Sequence, residues 1–500
     1  MNAFDNFEVW FVTGAQLLYG GDAVKHVDAH SKEIVAGLNS GNLPIKVIYK
    51  GTANSSKEVE AIFKDANNED KCVGVITWMH TFSPAKMWIH GLCLLRKPLL
   101  HLHTQYNEEI PWNTMDMDFM NLNQSAHGDR EFGFINARMR RPRKVVVGYW
   151  KDAKTQEHIA VWMRVAAAWA DAQDMLIVRF GDQMNNVAVT DGDKVEAEMR
   201  LGFHVDEYPI ADLCAVMSKV TDADIKELIK VYEKEYDFAD NAKEGGKDHK
   251  AVVEAAREEI ALRRFLDEKG AKAFTTNFDE LAGFDQLPGL ACQRLMAEGY
   301  GFGAEGDWKT AALVRTTWFM AQGVSKGTSF LEDYTLNFDG EKTAILESHM
   351  LEVCPLIAAG KPRMEVHPLG IGGKNDPARL VFTTQTGAGL AATFIDMGNR
   401  FRMIVMAVDC IEPKPLPKLP VASALWIPRP NFEIGAGAWI LCGGTHHSSF
   451  AFDLSMEYYE DYAEIAGIEL VEIDENTTTN DIKKELRVNE VYYMLNKALK

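Results

Sequence analysis

A short apolar stretch, Val9-Trp10-Phe11-Val12-Thr13-Gly14, predicts a buried β-strand that ends in a glycine turn. A helical segment follows near residues 22–38, and a polar helix is predicted near 56–67. Further short apolar runs, each predicting a strand, lie at 45–49, 73–78 and 98–102. Because strands alternate with helices, we predict a mainly parallel sheet with helices on both faces.

The same alternation restarts further along the chain, at residues 144–148 and 175–181, so a second α/β domain is predicted from about residue 175. From about residue 326 the pattern changes to short β-like runs separated by Gly, Pro and Asp turns. These runs lie at 344–346, 378–384, 391–395 and 401–408. Their spacing favours an antiparallel β-domain, either a small barrel or a sandwich.

Composition excludes several classes of protein. The 500 residues carry 53 basic and 72 acidic side chains, a formal charge of −19, which argues against nucleic acid or an anionic membrane as partner. A hydrophobic fraction of 47% is too high for a disordered chain. We find no apolar run near the ~20 residues that cross a bilayer, and no signal peptide. The seven cysteines show no C-x-x-C spacing, which indicates reduced thiols and a cytoplasmic protein.

A glycine-rich segment, Gly301-Phe302-Gly303-Ala304-Glu305-Gly306-Asp307, matches the spacing G-x-G-x-x-G. A dinucleotide site also needs a strand directly before the motif, and residues 295–298 are predicted to be helical. A Walker A loop needs Lys after Gly306, where Asp307 stands, so no nucleotide cofactor is expected. Asp307 suits the N-cap of a following helix, and the glycines present Glu305 just before it. The alternative for Glu305 is a solvated loop acid.

Three further segments offer polar groups. Glu332 and Asp333 lie in a β-compatible run, so one should point inward and the other outward, unless both lie on a solvated edge. His349 has apolar neighbours and is either a ligand or a hydrogen-bonded core histidine. An apolar run, predicted to be a strand, leads through Gly443-Gly444 to His446-His447. If the flanking chain is extended, the two rings diverge and only one faces a given site.

Two Glu and two His are therefore dispersed over residues 305–447. Mixed carboxylate and imidazole ligands suit Mn²⁺ or a similar divalent ion better than a closed structural zinc site. Because the four residues are far apart in the chain, their spacing proves nothing. Two carboxylates near a metal are also suited to paired acid–base catalysis on one substrate.

Several long motifs are distinctive. They are Phe4-Asp5-Asn6-Phe7-Glu8-Val9-Trp10-Phe11-Val12, Gln16-Leu17-Leu18-Tyr19-Gly20, Trp78-Met79-His80-Thr81-Phe82-Ser83-Pro84-Ala85-Lys86-Met87-Trp88, Met117-Asp118-Phe119-Met120-Asn121-Leu122-Asn123-Gln124-Ser125-Ala126-His127-Gly128, Gly306-Asp307-Trp308-Lys309, Ser348-His349-Met350-Leu351-Glu352 and Gly443-Gly444-Thr445-His446-His447. In these motifs, and over essentially its whole length, the chain resembles the bacterial L-arabinose isomerases.

The resemblance implies reversible conversion of L-arabinose to L-ribulose, and of D-galactose to D-tagatose, through a metal-stabilised enediol intermediate. It implies one divalent metal per subunit, usually Mn²⁺. The implied ligands are Glu305, Glu332, His349 and His447. The neighbouring His446 is left outside the ligand set. Such a reaction moves one proton between C1 and C2 and another between O1 and O2, which suits Glu305 and Glu332 as the catalytic pair. Which of them takes the C2 proton stays open.

The implied fold is α/β. Two Rossmann-like doubly wound domains, residues 1–174 and 175–325, are followed by a β-rich, barrel-like domain, residues 326–500. The implied assembly is a cytoplasmic homohexamer with active sites shared between subunits.

The resemblance also implies residues that contact the sugar. They are Gln16, Leu18, Tyr19, Phe82, Gln124, His127, Met184, Phe278 and Ile371, with Gln124 and His127 reaching the sugar of a neighbouring subunit. Gln16 and Tyr19 follow the first predicted strand, where open α/β sheets bind ligands. For Phe82 and Phe278 the alternative is ordinary core packing.

Three rival interpretations remain. An L-fucose isomerase or a related enzyme would share the metal and the enediol step. A non-catalytic sugar-binding protein would not need Glu305 and Glu332 together with a metal. A nucleotide-dependent oxidoreductase lacks the predicted strand before its glycines.

Overall fold

The computed structural model describes residues 3–340, 342–371 and 373–498. Two compact units make up this chain. One comprises Met1–Ala170 and Glu460–Gly467, and the other comprises Asp171–Tyr459 and Ile468–Lys500. Among the described residues, no helix combines the length and the hydropathy that crossing a membrane requires.

The first unit is built on a parallel sheet. Its strands are β1 (Glu8–Gly14), β2 (Lys46–Ala53), β3 (Cys72–Met79), β4 (Leu99–His103) and β5 (Lys144–Val147). They lie in the order β2-β1-β3-β4-β5, and every pairing is parallel. All eight residues of β3 are buried, as expected for a strand covered on both faces. The apolar runs of the sequence therefore predicted this sheet correctly.

Helices connect these strands. They are α1 (Gly21–Asn39), α2 (Ser56–Asn68), α3 (Ile89–Leu94), α4 (Met117–Leu122), α5 (Ser125–Arg138) and α6 (Ala153–Ala172). The order β2-β1-β3-β4-β5 changes direction at β1 and β3, and an open α/β sheet offers a ligand crevice at the carboxyl ends of such strands.

The second unit begins with another parallel sheet, in the order β10-β9-β6-β7. The strands of this region are β6 (Leu176–Phe180), β7 (His204–Tyr208), β8 (Asp237–Phe238), β9 (Ala273–Thr275) and β10 (Gly301–Gly303). The helices are α7 (Lys194–Leu201), α8 (Ile210–Met217), α9 (Asp222–Glu235), α10 (His249–Lys269), α11 (Gly289–Ala297) and α12 (Trp308–Met320). Strand β8 lies outside the parallel sheet.

The remainder of this unit is dominated by a closed β-barrel. Its strands and their neighbours are β11 (Thr328–Asn337), β12 (Ala344–Ser348), β13 (Arg363–Val366), β14 (Ala378–Val381), β15 (Gly387–Asp396), β16 (Phe401–Ile411), β17 (Ala424–Pro428), β18 (His447–Phe452) and β19 (Glu469–Ile473). The order β15-β18-β11-β12-β17-β16 closes because β16 also pairs with β15. The β-rich, barrel-like domain implied by the resemblance is confirmed, and the barrel rather than the sandwich is the alternative that the chain adopts.

Two other features adjoin the barrel. Strands β13 and β14 form a small sheet with β8, and β19 pairs in parallel with β16. Helices α13 (Phe432–Cys442) and α15 (Thr479–Ala498) belong to the second unit, whereas most of α14 (Met456–Ala466) belongs to the first.

One predicted strand is wrong. The apolar run before the His pair belongs to helix α13, not to a strand. Gly435, Ala438, Trp439 and Cys442 are buried at three- and four-residue spacing, which is the period of one helical face. A short apolar run does not distinguish strand from helix by itself, and here the Asn431 N-cap decides for the helix, since its side chain accepts a hydrogen bond from Ile434 N.

Candidate metal centre

Glu305 lies in a tight turn between β10 and α12. Its φ is +62° and that of Gly306 is +80°, both in the left-handed region. A Cβ on Gly306 would lie 2.5 Å from Cα of Gln183, so only glycine fits there. The Glu305 carbonyl accepts a hydrogen bond from Met184 N at 3.1 Å. The loop at residues 182–184 therefore fixes the position of the Glu305 backbone.

The glycine motif is itself part of the sheet. Gly301 and Gly303 lie within β10, beside β9, rather than in a loop after a strand. Asp307 caps α12 as predicted, because its carboxylate accepts from Thr310 N at 3.1 Å. The segment thus forms a strand, a turn and a helix, and the turn presents an acidic side chain.

Three neighbouring barrel strands supply the other polar groups. Glu332 of β11 is opposite Ser348 of β12 and opposite His447 of β18. His349 directly follows β12. Adjacent antiparallel strands place opposite side chains about 5 Å apart, so these residues meet although they are distant in sequence.

The four predicted ligands converge in two pairs. Oε2 of Glu332 lies 3.6 Å from Nε2 of His349, and Oε2 of Glu305 lies 3.7 Å from Nε2 of His447. The rings of His349 and His447 are 6.2 Å apart between centroids, and Phe330 packs edge-on against each of them at 5.1 Å. Both imidazoles are fully buried, and both Nε2 atoms find no hydrogen-bond partner among the described residues.

The opposite nitrogen of each ring is held by a carboxylate. Nδ1 of His349 lies 2.5 Å from Oε2 of Glu352, and Nδ1 of His447 lies 3.0 Å from Oδ2 of Asp307. With Nδ1–H donating to the carboxylate, the lone pair of Nε2 faces the space between the four predicted ligands. This space is called the pocket below. This is the arrangement that orients metal-binding histidines in proteins.

A divalent cation fits this donor set. Burying a nitrogen acceptor costs free energy unless a hydrogen-bond donor or a cation binds its lone pair. Two such nitrogens lie beside two carboxylates here. Mixed imidazole nitrogen and carboxylate oxygen donors suit a divalent transition-metal ion.

The carboxylates and imidazoles perturb one another. Burial alone would raise the pKa of Glu305, but His446, His447 and His349 hold it below its usual value. Burial alone would lower the pKa of His349, but the Glu352 and Glu332 carboxylates raise it. The site therefore concentrates negative charge around imidazole nitrogens that can coordinate a cation.

His446 departs from the predicted arrangement. The two rings do not diverge: their centroids are 4.2 Å apart, and Nε2 of His446 lies 3.3 Å from Oε2 of Glu305. The flanking chain is not extended, because α13 ends at Cys442, Gly443 has φ +86°, and β18 starts only at His447. Glu305, His446 and His447 together could hold a metal, with one atom of each within 4.8 Å of the others.

Asp333 belongs to a different environment from that of Glu332. It lies opposite Glu347 in the strand register. Burial raises the pKa of Asp333 to about 6, and burial with the neighbouring Asp333 raises that of Glu347. The alternation of faces along β11 therefore separates the two adjacent acids, as the sequence predicted.

Three of the predicted sugar contacts lie in the second unit. Phe278 stacks on His349, with ring centroids 5.9 Å apart at 18°. Met184 is held against Glu305 by its backbone. Ile371 lies in the loop between β13 and β14, and its sugar contact stays a prediction.

The other predicted sugar contacts lie in the first unit. Tyr19 donates its hydroxyl to Oε1 of Gln124 at 3.1 Å, and Phe82 stacks on His127 with centroids 4.4 Å apart. Gln16 precedes Tyr19 in the loop after β1, and Leu18 between them is 79% exposed. The contacts of all six with a sugar stay predictions.

Sequence reasoning missed part of this centre. It assigned Asp307 only as a helix cap and gave no role to Glu352 or Lys309. One signal was available: Glu352 comes three residues after His349, and a carboxylate near a candidate histidine is the expected support of a metal ligand. Asp307 lies 140 residues from His447 in the chain, so no local signal linked the two.

Known proteins match the chain along nearly its whole length. Three family models match in succession: the L-arabinose isomerase N-terminal domain over residues 3–174, its central domain over 176–323 and its C-terminal domain over 327–469. An L-arabinose isomerase of Phocaeicola vulgatus is 71% identical, covering 99% of each chain. One of Bacteroides thetaiotaomicron is 70% identical over 100% of this chain and 99% of its own. One of Geobacillus stearothermophilus is 54% identical, over 97% and 98%.

Proposed function

Because the chain belongs to the L-arabinose isomerase family and is an isomerase, we propose that it converts L-arabinose to L-ribulose at one divalent cation. Glu305, Glu332, His349 and His447 hold this cation. The observation that carries the proposal is the pair of buried Nε2 atoms, each without a hydrogen-bond partner in the described chain and each less than 4 Å from a carboxylate oxygen.

The proposed cation is Mn²⁺, one per subunit. When bound, it supplies positive charge that stabilises the negative charge of an enediol-type intermediate and so acidifies the C–H bond next to the carbonyl. We propose no nucleotide cofactor. A dinucleotide motif places its first glycines in the turn after a strand, whereas Gly301 and Gly303 lie within the strand β10 itself.

The proton transfers fall to the chain's own carboxylates. Isomerisation of an aldose removes the C2 proton, returns a proton to C1 and moves another between O2 and O1. Glu305 and Glu332 approach the pocket from different elements, the β10–α12 turn and the strand β11, so each can serve a different atom of one substrate. The assignment of the C2 base to one of them is left to the experiment.

Aromatic rings line the histidines. Phe330 packs against both His349 and His447, and Phe278 stacks on His349. These apolar faces limit the access of water to the buried nitrogens, which strengthens every charge interaction within the pocket.

Substrate range and assembly are proposed on the family alone. We expect D-galactose to be converted to D-tagatose as a second reaction, and we expect cytoplasmic homohexamers whose active sites combine residues of two subunits. Gln124 and His127 are the residues that would serve the neighbouring site. The Tyr19 hydroxyl and the Phe82 ring hold these two side chains in place.

The test measures ketose formation by the purified protein with L-arabinose, D-galactose and L-fucose, before and after exhaustive dialysis against a chelator. We expect L-arabinose to be the best substrate, activity to disappear with the metal, and Mn²⁺ to restore it. Activity that survives complete metal removal would contradict the metal proposal. Preference for L-fucose would contradict the proposed substrate.

A further inference from the structure

We propose that Lys309 is a positioning residue of the metal centre. Its ammonium joins Asp307 to the loop at residues 181–193, so that His447 and Glu305 are held toward the same cation. This inference rests on the proposed function, because it concerns the two ligands that Lys309 supports from outside the pocket.

Lys309 is an unusual lysine because it is almost completely buried, with 2% of its side chain exposed. Its Nζ donates to the carbonyl oxygen of Asp191 at 2.6 Å and lies 3.5 Å from Oδ1 of Asp307. It also lies 5.0 Å from the centroid of the Trp308 ring. A lysine is seldom buried unless it is paired, so these contacts define what its charge does.

The first connection runs through Asp307 to His447. The Asp307 carboxylate accepts from Thr310 N and from the Thr310 hydroxyl, at 3.1 and 2.7 Å, and lies 3.0 Å from Nδ1 of His447. Lys309 is the cation that faces this buried carboxylate. The ammonium therefore holds in place the carboxylate that contacts Nδ1 of His447, and this contact aims Nε2 of His447 at the pocket.

The second connection runs through the loop to Glu305. Lys309 holds the carbonyl of Asp191 at one end of the loop, and Met184 N donates to the carbonyl of Glu305 further along it. Gly192 packs on the lysine stem, where an added Cβ would lie 3.3 Å from Cδ of Lys309. The loop thus contacts both the lysine and the turn that carries Glu305.

Removing the ammonium should loosen both ligands. A methionine at this position keeps most of the apolar stem but leaves the Asp307 carboxylate buried without its cation and the Asp191 carbonyl without its donor. Because neither lost contact touches the sugar or the reacting atoms, the defect should appear in metal binding more than in the rate of the loaded enzyme.

The test titrates Mn²⁺ into the metal-free full-length protein by calorimetry, for wild type, Lys309→Met and Lys309→Arg. We expect Lys309→Met to weaken Mn²⁺ binding about tenfold, the lower end of the range for residues that support metal ligands. At saturating Mn²⁺ we expect kcat to recover to within about threefold of wild type. Lys309→Arg should recover part of the lost affinity, because it restores the charge.

Lys272→Met is the matched control. Lys272 also bridges a carboxylate and a carbonyl, since its Nζ lies 2.9 Å from Oδ1 and 2.8 Å from the carbonyl oxygen of Asp171. It is more exposed, at 36% of its side chain, and it does not contact Asp307 or the loop at 181–193. We expect a lower melting temperature and unchanged Mn²⁺ affinity.

A double variant identifies the route of action. If Lys309 acts through Asp307, Lys309→Met should weaken binding much less in an Asp307→Asn background than in wild type. Wild-type Mn²⁺ affinity in Lys309→Met would overturn the positioning role while leaving the proposed function intact. A wild-type protein that binds no Mn²⁺ would overturn the proposed metal centre itself. If Lys309→Met does not fold, wild-type affinity in Lys309→Gln would overturn the positioning role in the same way.

Discussion

Nδ1 of His447 lies 3.0 Å from Oδ2 of Asp307, a carboxylate that also caps helix α12. One side chain thus caps the start of a helix and orients a candidate metal ligand. The equivalent support on the other histidine is Glu352, whose Oε2 lies 2.5 Å from Nδ1 of His349. Both imidazoles present Nε2 to the pocket because a carboxylate occupies their other nitrogen.

Asp307→Asn tests this relationship without removing the helix cap. Asparagine caps a helix as well as aspartate does, but it brings no charge to the His447 ring. We expect Mn²⁺ affinity to fall 10- to 100-fold, about 1.4–2.7 kcal/mol, as measured by calorimetry on the metal-free protein. Asp116→Asn, at the N-cap of α4, is the control for loss of a capping charge and should leave Mn²⁺ affinity unchanged.

Glu305→Gln and Glu332→Gln test the catalytic assignment. Each variant keeps the shape of the side chain but can neither take a proton nor carry charge, so we expect kcat to fall by at least 10²-fold in each. Solvent-tritium exchange at C2, followed in both variants at saturating Mn²⁺, identifies the base as the residue whose loss removes exchange. Retained turnover in either variant would exclude that residue from the mechanism.

We expect substitutions of the neighbouring residues His446 and His447 to have different effects on Mn²⁺ affinity. His447 is fully buried with a supported Nδ1, whereas 33% of the His446 side chain is exposed and its Nε2 contacts Glu305. We expect His447→Asn to abolish measurable Mn²⁺ binding and His446→Asn to retain it within about tenfold. Calorimetry on the two variants decides between them, and equal losses would place both histidines among the ligands.

The fold was largely predictable because its signals are local. Four runs of apolar residues predicted four of the five strands of the first sheet, and the turn-separated runs after residue 326 predicted an antiparallel β-domain, either a barrel or a sandwich. The exception, α13, is a short helix with apolar residues on its exposed side as well, such as Ile440 and Leu441, so its sequence shows no clear helical period.

The residues of the candidate site could be proposed from the sequence and the family resemblance, but their convergence in space could not be derived from the chain. The alternation of faces along β11 separated Glu332 from Asp333 without any tertiary information. The meeting of Glu332, His349 and His447 depends on which strands pair in the barrel, and chain spacing does not determine that. It was the resemblance to a family that grouped these residues, and it carried no information on the supporting Lys309.

We expect acid to lower the stability of the first unit, because His80 is buried in it. Burial lowers its pKa to about 3, with the neighbouring His30 contributing, and the two rings share a 2.7 Å hydrogen bond. Between pH 6.5 and 3 the unfolded chain therefore binds the proton that the folded chain excludes, so stability falls as the pH falls. The expected loss is up to about 1.4 kcal/mol for each pH unit below 6.5.

Thermal unfolding at pH 7.0, 6.0 and 5.0 measures this effect. His80→Gln should show a smaller decrease in melting temperature on acidification than wild type does, although it is less stable at pH 7.0. His90→Gln is the control, because this histidine lies exposed in the same unit and its loss should leave the decrease unchanged. Parallel pH dependence in wild type and His80→Gln would contradict the prediction.

Gly306→Ala should damage the metal centre more than it damages the fold. An alanine there adopts φ near +80° and places its Cβ 2.5 Å from Cα of Gln183, so the turn that carries Glu305 has to shift. Gly323 has a similar φ of +76°, but open space surrounds its Cβ position, so Gly323→Ala isolates the backbone strain of about 1–2 kcal/mol. We expect both variants to lose that stability in denaturant titrations, and only Gly306→Ala to lose Mn²⁺ affinity as well. Equal affinities in the two variants would mean that the turn does not set the position of Glu305.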